Sequence, residues 1–248
     1  MKTYFVTSDI HSFYNLFHKA LIEKGFDINN KDHILIICGD CFDRGEEALN
    51  LLSFIYDLYK QDRLIYIKGN HEDLLEECLY QVENKLNISS YHWYNRTVNT
   101  IEQLTGINKY DLVSGTYNYK KDIKPKLKKY FEIPKLNYYI LDKYIFVHGW
   151  LPEKLLSLDD IDNMSDGDWY EARWTNGIKA CEEGKTYKDV TVICGHWHTN
   201  EANKKYHNSG SGKFDEYGDF SPFIDKGIID LDACTAFSNE INIITLNI

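Results

Sequence analysis

The sequence predicts an α/β chain built on a parallel sheet, and three observations carry that prediction. Apolar runs of strand length, Thr3 to Ser8, His33 to Cys38 and Arg63 to Lys68, alternate with helix-patterned stretches. Each run ends at a loop that opens with a carboxylate or a carboxamide: Asp9, Asp40 and Asn70. Ligands of parallel sheets gather beyond the carboxyl ends of the strands, so these loops belong to one pocket.

The elements follow in order. Phe13 to Lys24 places Phe13, Leu16, Phe17, Ala20 and Leu21 at helical spacing and closes at Gly25. Glu46 to Lys60 repeats the pattern with Ala48, Leu51, Leu52, Ile55 and Leu58, and His71 to Val82 is the third helix. Residues 84–137 are polar and rich in lysine and asparagine, with helices expected over Trp93 to Leu104 and Asp122 to Phe131. Tyr138 to Val147 reads as a hairpin turning at Asp142 and Lys143, and a short helix is expected at Trp169 to Trp174. Val190 to Cys194 is a buried strand, Glu201 to Ser221 a polar loop, and Gly227 to Asp232 and Ile241 to Ile248 are closing strands.

Composition narrows the function classes. Hydrophobic content of 43% and charged content of 27% are those of a globular chain with a full core. No apolar run reaches the roughly 18–20 residues of a membrane span, and the N-terminus lacks the pattern of a signal peptide. A net charge of −10 argues against non-specific nucleic-acid binding. The six cysteines follow no zinc or disulfide spacing, which fits reduced thiols in a cytoplasmic protein; Cys234 is expected in a strand. The lysines between Tyr119 and Tyr130 read as a solvated face, with attraction of polyanions such as polyphosphorylated nucleotides as the alternative, and Trp169 and Trp174 read as core.

The chemistry concentrates at Ile34 to Gly45, where a continuous apolar strand stops at Gly39 and Asp40, with Asp43 and Arg44 close behind. Carboxylates and a guanidinium at the mouth of such a strand are costly unless they hold a ligand or each other. Further blocks carry Asp9 and His11, Asn70 and His71, His148, and the pair His196 and His198. This mixture of oxygen and imidazole donors suits Mn, Fe or Zn.

Five blocks, SDIHS at 8–12, GDCFDRG at 39–45, KGNHE at 68–72, FVHGWLP at 146–152 and CGHWHTN at 194–200, occur in that order. Together they resemble the calcineurin-like metallophosphoesterase superfamily. The similarity is greatest to its bacterial and phage branch, related to Ser/Thr protein phosphatases and symmetrical diadenosine tetraphosphate hydrolases. The resemblance implies an αββα sandwich of two mixed sheets, a single domain over 1–248 with a helical cap inserted at 84–137. It implies two divalent ions, Mn with Fe or Zn as alternatives, and in-line attack by a bridging hydroxide. One ion falls to Asp9, His11, Asp40 and His198, the other to Asp40, Asn70, His148 and His196. His71 is the implied proton donor, Asp43 its orienting partner, and Arg44 a phosphate grip. Arg173 is an implied second grip, with Asn70 and Asn95 also at the phosphate; Arg96, where the branch has glycine, is read either as an added cationic contact or as the mark of a different substrate.

Two departures stand out. The branch usually carries one histidine where this chain has His196 and His198, and glycines where it has Arg96 and Thr97. The implied function is a phosphomonoesterase of the Ser/Thr protein phosphatase type. Alternatives are a dinucleoside polyphosphate hydrolase, a phosphodiesterase or nuclease, and a metal-free interaction scaffold. The implied partner is a phosphorylated protein or a nucleotide polyphosphate.

Overall fold

The structure is a computed structural model that describes residues 1–248. Strands β1 (Thr3–Thr7), β2 (His33–Cys38) and β3 (Leu64–Ile67) alternate with helices α1 (Tyr14–Glu23), α2 (Ala48–Tyr59) and α3 (Asn70–Glu83). Helices α4 (Ser90–Tyr94), α5 (Thr97–Thr105) and α6 (Lys109–Ser114) follow, then a π-helical turn at Tyr119–Ile123 and α7 (Lys128–Glu132). The second half runs through β4 (Tyr139–Leu141), β5 (Tyr144–Phe146), α8 (Asp166–Arg173), α9 (Gly177–Glu182), β6 (Thr191–Cys194) and α10 (Thr199–His207). It closes with β7 (Phe223–Asp225), β8 (Ile228–Asp230), α11 (Thr235–Ser238) and β9 (Ile244–Asn247).

Two mixed sheets result. The first has the order β3-β2-β1-β9, with β1 to β3 parallel and β9 antiparallel. The second has the order β4-β5-β6-β8-β7, parallel at its centre and antiparallel at both edges. Period-two alternation decides the packing. Tyr4, Val6, Ile34, Ile36 and Cys38 point inward and meet Phe146, Ile193 and Leu231 of the second sheet. Phe5, Leu35 and Ile37 point outward, onto Phe17, Leu21, Leu51 and Ile55 of the flanking helices. Across the molecule, Ile145, Val147 and Val192 pack under Trp169, Ala172 and Ala180. The layers are α, β, β and α. Both faces of β2 are covered, which explains its continuous apolar run.

Three expectations are corrected here. Residues 84–137 form short helical pieces rather than two helices, because Asn108 and Asn118 cap new starts by accepting hydrogen bonds from Tyr110 and Lys121 amides. Val98, Ile101, Leu104 and Leu127 of this stretch join the core beneath α2 and α3, and Asn95 is its residue that lines the central cavity. The expected loop at 201–221 begins as α10, and Asn203 ties down the remainder of that segment by donating to the Asp219 and Ser221 carbonyls at 3.2 and 2.9 Å. Cys234 lies outside any strand, at φ 51° before α11. All six cysteines are unpaired, and no helix is long and apolar enough to cross a membrane.

Six strands deliver side chains to one end of the sandwich: β1 to Asp9, β2 to Asp40, β3 to Asn70, β5 to His148, β6 to His196 and β8 to Asp232. Glu72 locks two of these loops together. Fully buried, its carboxylate accepts from the amides of Asp40, Cys41 and Gly69 at 2.9, 3.0 and 2.8 Å and from the Tyr66 hydroxyl at 2.7 Å. Glu72→Gln turns one acceptor into a donor facing amide donors. Urea unfolding is expected to show a loss of about 3 kcal/mol with an unchanged m-value.

Candidate metal centre

The strand ends surround a cavity of about 300 Å³ lined by Asp9, His11, Asp40, Asn70, His71, His196, His198 and Asp232, with Arg44, Asn95, Trp174 and Trp197 at its wall. His148 is buried just behind it, its Nε2 2.8 Å from Asn70 Oδ1 and 3.3 Å from Asp40 Oδ1. Backbone strain accompanies this convergence. Asp9, His11, Asp40, Asp43, Arg44 and His196 all adopt left-handed φ values between 50° and 73°. Such residues cost energy and persist only where the surroundings over-determine them. Gly39, at φ 87°, is one of the determinants. A Cβ there would lie 2.5 Å from His148 Nδ1 and 2.7 Å from the Gly69 backbone.

The imidazoles are oriented alike. His11 Nδ1–H donates to the Phe42 carbonyl at 2.9 Å, His148 Nδ1–H to the Cys38 carbonyl at 2.7 Å, and His198 Nδ1–H to Asp232 Oδ2 at 2.7 Å. Each ring is thereby anchored through Nδ1 and turns Nε2 the other way, the arrangement of a metal-ligating histidine and its supporting partner. His11 Nε2 stands 3.9 Å from Asp9 Oδ1 and 3.8 Å from Asp40 Oδ2. Asp9 is held by the Ser8 hydroxyl at 2.6 Å and the His196 amide at 3.0 Å. Two sets of donor atoms fall within 4.8 Å of one another: His11, Asp40 and His71, and Asp40, His148 and His196. Asp40 belongs to both. The donor set fits divalent cations, with Asp9, His11 and Asp40 on one side and Asp40, Asn70, His148 and His196 on the other.

Electrostatics agree with that fit. Burial and then the Asp232 carboxylate push Asp9 up to about 8. Burial opposes the charge of Asp40, yet His148 and His71 hold it well below the usual carboxylate range. Burial, with His71 and His148 respectively, lowers His11 to about 3 and His196 to about 4, which keeps both neutral and ready to ligate. Burial works against a charge on His148 and His198 too, but Asp40 raises the first to about 10 and Asp232 the second to about 11.

The structure separates the expected residues. His198 lines the cavity but joins neither donor set, because Asp232 anchors its ring at a half-exposed position. His71, expected beside the ions, shares a set with His11 and Asp40. Its Nδ1–H donates to Asp43 Oδ2 at 2.8 Å. Asp43 is fully buried and also accepts from the Thr97 and Thr100 hydroxyls, each at 2.8 Å. Arg44 Nη2 lies 3.4 Å from His71 Nε2, and its buried Nε has no partner.

Other expectations are corrected. Arg173 does not line the cavity; its guanidinium is held by Asp73 at 2.6 and 3.2 Å and by Asn137 at 3.0 Å. Arg96 turns away, donating to the Arg44 carbonyl at 2.8 Å and pairing with Glu46. Trp169 is core, but Trp174 is half-exposed and lines the cavity. The lysines at 120, 124 and 128 border a separate hollow. Sequence reasoning missed Asp232, Glu72, Thr97 and Thr100. Of these, Asp232 carried a usable signal, since it stands two residues past the end of β8 as Asp9 does past β1.

A carboxylate-rich pocket that presents several imidazole Nε2 atoms round one shared aspartate is a donor set for divalent metal ions. The chain belongs to the calcineurin-like phosphoesterase family, whose pattern matches residues 2–219. A symmetrical bis(5'-nucleosyl)-tetraphosphatase of Buchnera aphidicola subsp. Acyrthosiphon pisum is 40% identical over 72 residues, covering 29% of this chain and 24% of that protein. The asymmetrical bis(5'-nucleosyl)-tetraphosphatase PrpE of Bacillus subtilis is 31% identical over 75 residues, 27% of this chain and 30% of the relative. The chain thus spans about a quarter of the length of the curated relatives it matches. Among solved structures, a cold-active protein tyrosine phosphatase superposes with a TM-score of 0.57 at 16% identity, over 100% of this chain and 74% of that one. A structure described as a putative diadenosine tetraphosphatase does so at 0.52 and 13% identity, over 99% and 93%. These two likenesses concern the fold alone.

Two outcomes are expected for metal uptake. Asp9 and His148 hold protons at pH 7, so binding Mn releases protons and affinity rises with pH. Calorimetry in buffers of different ionisation enthalpy reads this directly. Asp232→Asn removes one of the three buried carboxylates that line the cavity and is expected to weaken Mn binding by about 10- to 100-fold.

Proposed function

We propose that the chain is a metal-dependent phosphoester hydrolase that acts on phosphate monoesters. The observation that carries this reading is an anion seat beside the donor set: the Arg44 guanidinium, whose buried Nε has no partner, next to the His71 ring. Two divalent ions bound at Asp9, His11, Asp40, Asn70, His148 and His196 would supply Lewis-acid activation of water and phosphoryl group.

The chain's own residues do the rest. Arg44 takes the phosphoryl oxygens through its guanidinium. Burial opposes a proton on His71, but Asp40 and then Asp43 raise its pKa, so the ring keeps that proton to higher pH than a free imidazole does. Asp43, itself fixed by Thr97 and Thr100, holds Nδ1 and leaves Nε2–H to protonate the departing oxygen. Asn95 stands at the wall where it can bond the substrate. The replaced glycine at Thr97 therefore has a use: its hydroxyl braces the acid's orienting carboxylate.

A second reading is cleavage of dinucleoside polyphosphates, favoured by the 40% identical segment shared with a nucleosyl tetraphosphatase. The two are separated with the Mn-loaded chain on p-nitrophenyl phosphate, its bis-ester and diadenosine tetraphosphate, with Asp40→Asn as control. The first reading expects the monoester to be preferred and the control to be inactive. Preference for the bis-ester would overturn it.

His71→Asn should lower kcat by roughly 10²–10⁴ for alkyl phosphates and much less for p-nitrophenyl phosphate, whose leaving group needs no proton. The sign of the pH dependence follows from the raised pKa. Activity on alkyl phosphates is retained below it and falls as pH rises through it, and this alkaline limb disappears in the variant.

A further inference from the structure

One part of the cavity wall is cationic, with Arg44 beside His71. Another part is aromatic. Trp174 and Trp197 both line the cavity, at 42% and 44% exposure. Each indole meets the His196 ring nearly at a right angle, with centroids 5.8 and 5.9 Å away. Trp169, on the helix that leads to Trp174, is a structural tryptophan by contrast. It is 3% exposed and stacks on Tyr138 at 5.2 Å. Leaving half of two indoles in water forgoes the stabilisation that burial brings. Exposed apolar surface gathered at a polar cavity marks where a ligand covers it.

The aromatic wall also leads somewhere. A second hollow of about 190 Å³ shares Trp197 and His198 with the metal cavity and continues to Lys179, Lys205 and Tyr206. It gives room to a group that lies beyond the phosphate. A phosphotyrosine ring is bonded directly to the phosphate oxygen and would stay inside the first cavity. A nucleobase, separated from its phosphate by a sugar, reaches the indole that joins the two hollows.

We infer that the substrate's organic part carries a nucleobase that stacks on Trp174 and Trp197, which makes the substrate a nucleotide rather than a phosphorylated protein side chain. The inference rests on the phosphoester-hydrolase reading above and assigns its substrate class. Stacking on an indole tolerates any base, because every base offers a π-face, so the expected selection is for nucleotides as a class.

The test compares kcat/KM of the Mn-loaded chain for adenosine 5'-monophosphate, diadenosine tetraphosphate, glycerol 2-phosphate, O-phosphotyrosine and a phosphothreonine peptide. The better nucleotide should exceed glycerol 2-phosphate by on the order of tenfold to a hundredfold. That ratio should collapse in Trp174→Ala and Trp197→Ala and survive in part in Trp197→Phe. Which nucleotide wins identifies mono- or polyphosphate as the source of the base. A ratio near one, a ratio that both alanine variants leave unchanged, or a preference for the peptide or for phosphotyrosine overturns the inference. Indole fluorescence judges it independently of turnover. Quenching by adenosine 5'-monophosphate but not by glycerol 2-phosphate, lost in the double alanine variant, supports stacking, and no quenching contradicts it. Failure to hydrolyse any ester would sink the hydrolase reading and leave the fluorescence result to decide the stacking.

Discussion

Three carboxylates, Asp9, Asp40 and Asp232, are buried to within 2% of full enclosure around one cavity. Taking each charge out of water costs several kcal/mol unless something compensates it. The imidazoles compensate part: His148 and His71 stabilise the charge on Asp40, and His198 that on Asp232. Asp9 is left over and retains a proton instead. Divalent cations would remove that residue of repulsion. The rest of the site can be understood as the framework that holds these like charges together.

That framework is mostly backbone. Six strands aim their carboxyl ends at one point, and the loops beyond them turn through left-handed conformations that side chains normally avoid. Glu72 ties the Asp40 loop to the start of α3, and the absence of a side chain at Gly39 lets His148 close in. The strain is confined to positions that these contacts over-determine. A parallel logic holds His71, the proposed proton donor. Asp43 receives Thr97 and Thr100 from α5, so the helical stretch after residue 84 is tied by hydrogen bonds to the loop after β2.

The convergence of Asp9, His11, Asp40, Asn70, His148 and His196 was legible because each follows an apolar strand by at most a few residues, and strand ends in such sheets converge. Asp232 obeys the same rule, but it stands in a short segment, LDAC, that offers no second polar landmark. Arg173 shows the opposite failure. Its local motif is suggestive, but its partner Asp73 lies 100 residues away in sequence, and only packing reveals that the guanidinium is already used. Trp174 and Trp169 have the same residue type and nearly the same place, and their contrasting burial depends on how α8 rests against the second sheet. The short helices after residue 84 escaped because asparagine caps break a pattern that periodicity alone reads as continuous.

We propose that Asp40 would be shared by two divalent ions, since it belongs to both donor sets. The direct measurement is metal stoichiometry together with the electron paramagnetic resonance of the Mn-loaded chain. The account predicts two Mn per chain with the exchange-coupled spectrum of a pair, and loss of the coupling in Asp40→Asn. A single uncoupled Mn per chain, or a coupled pair that survives in Asp40→Asn, would contradict it.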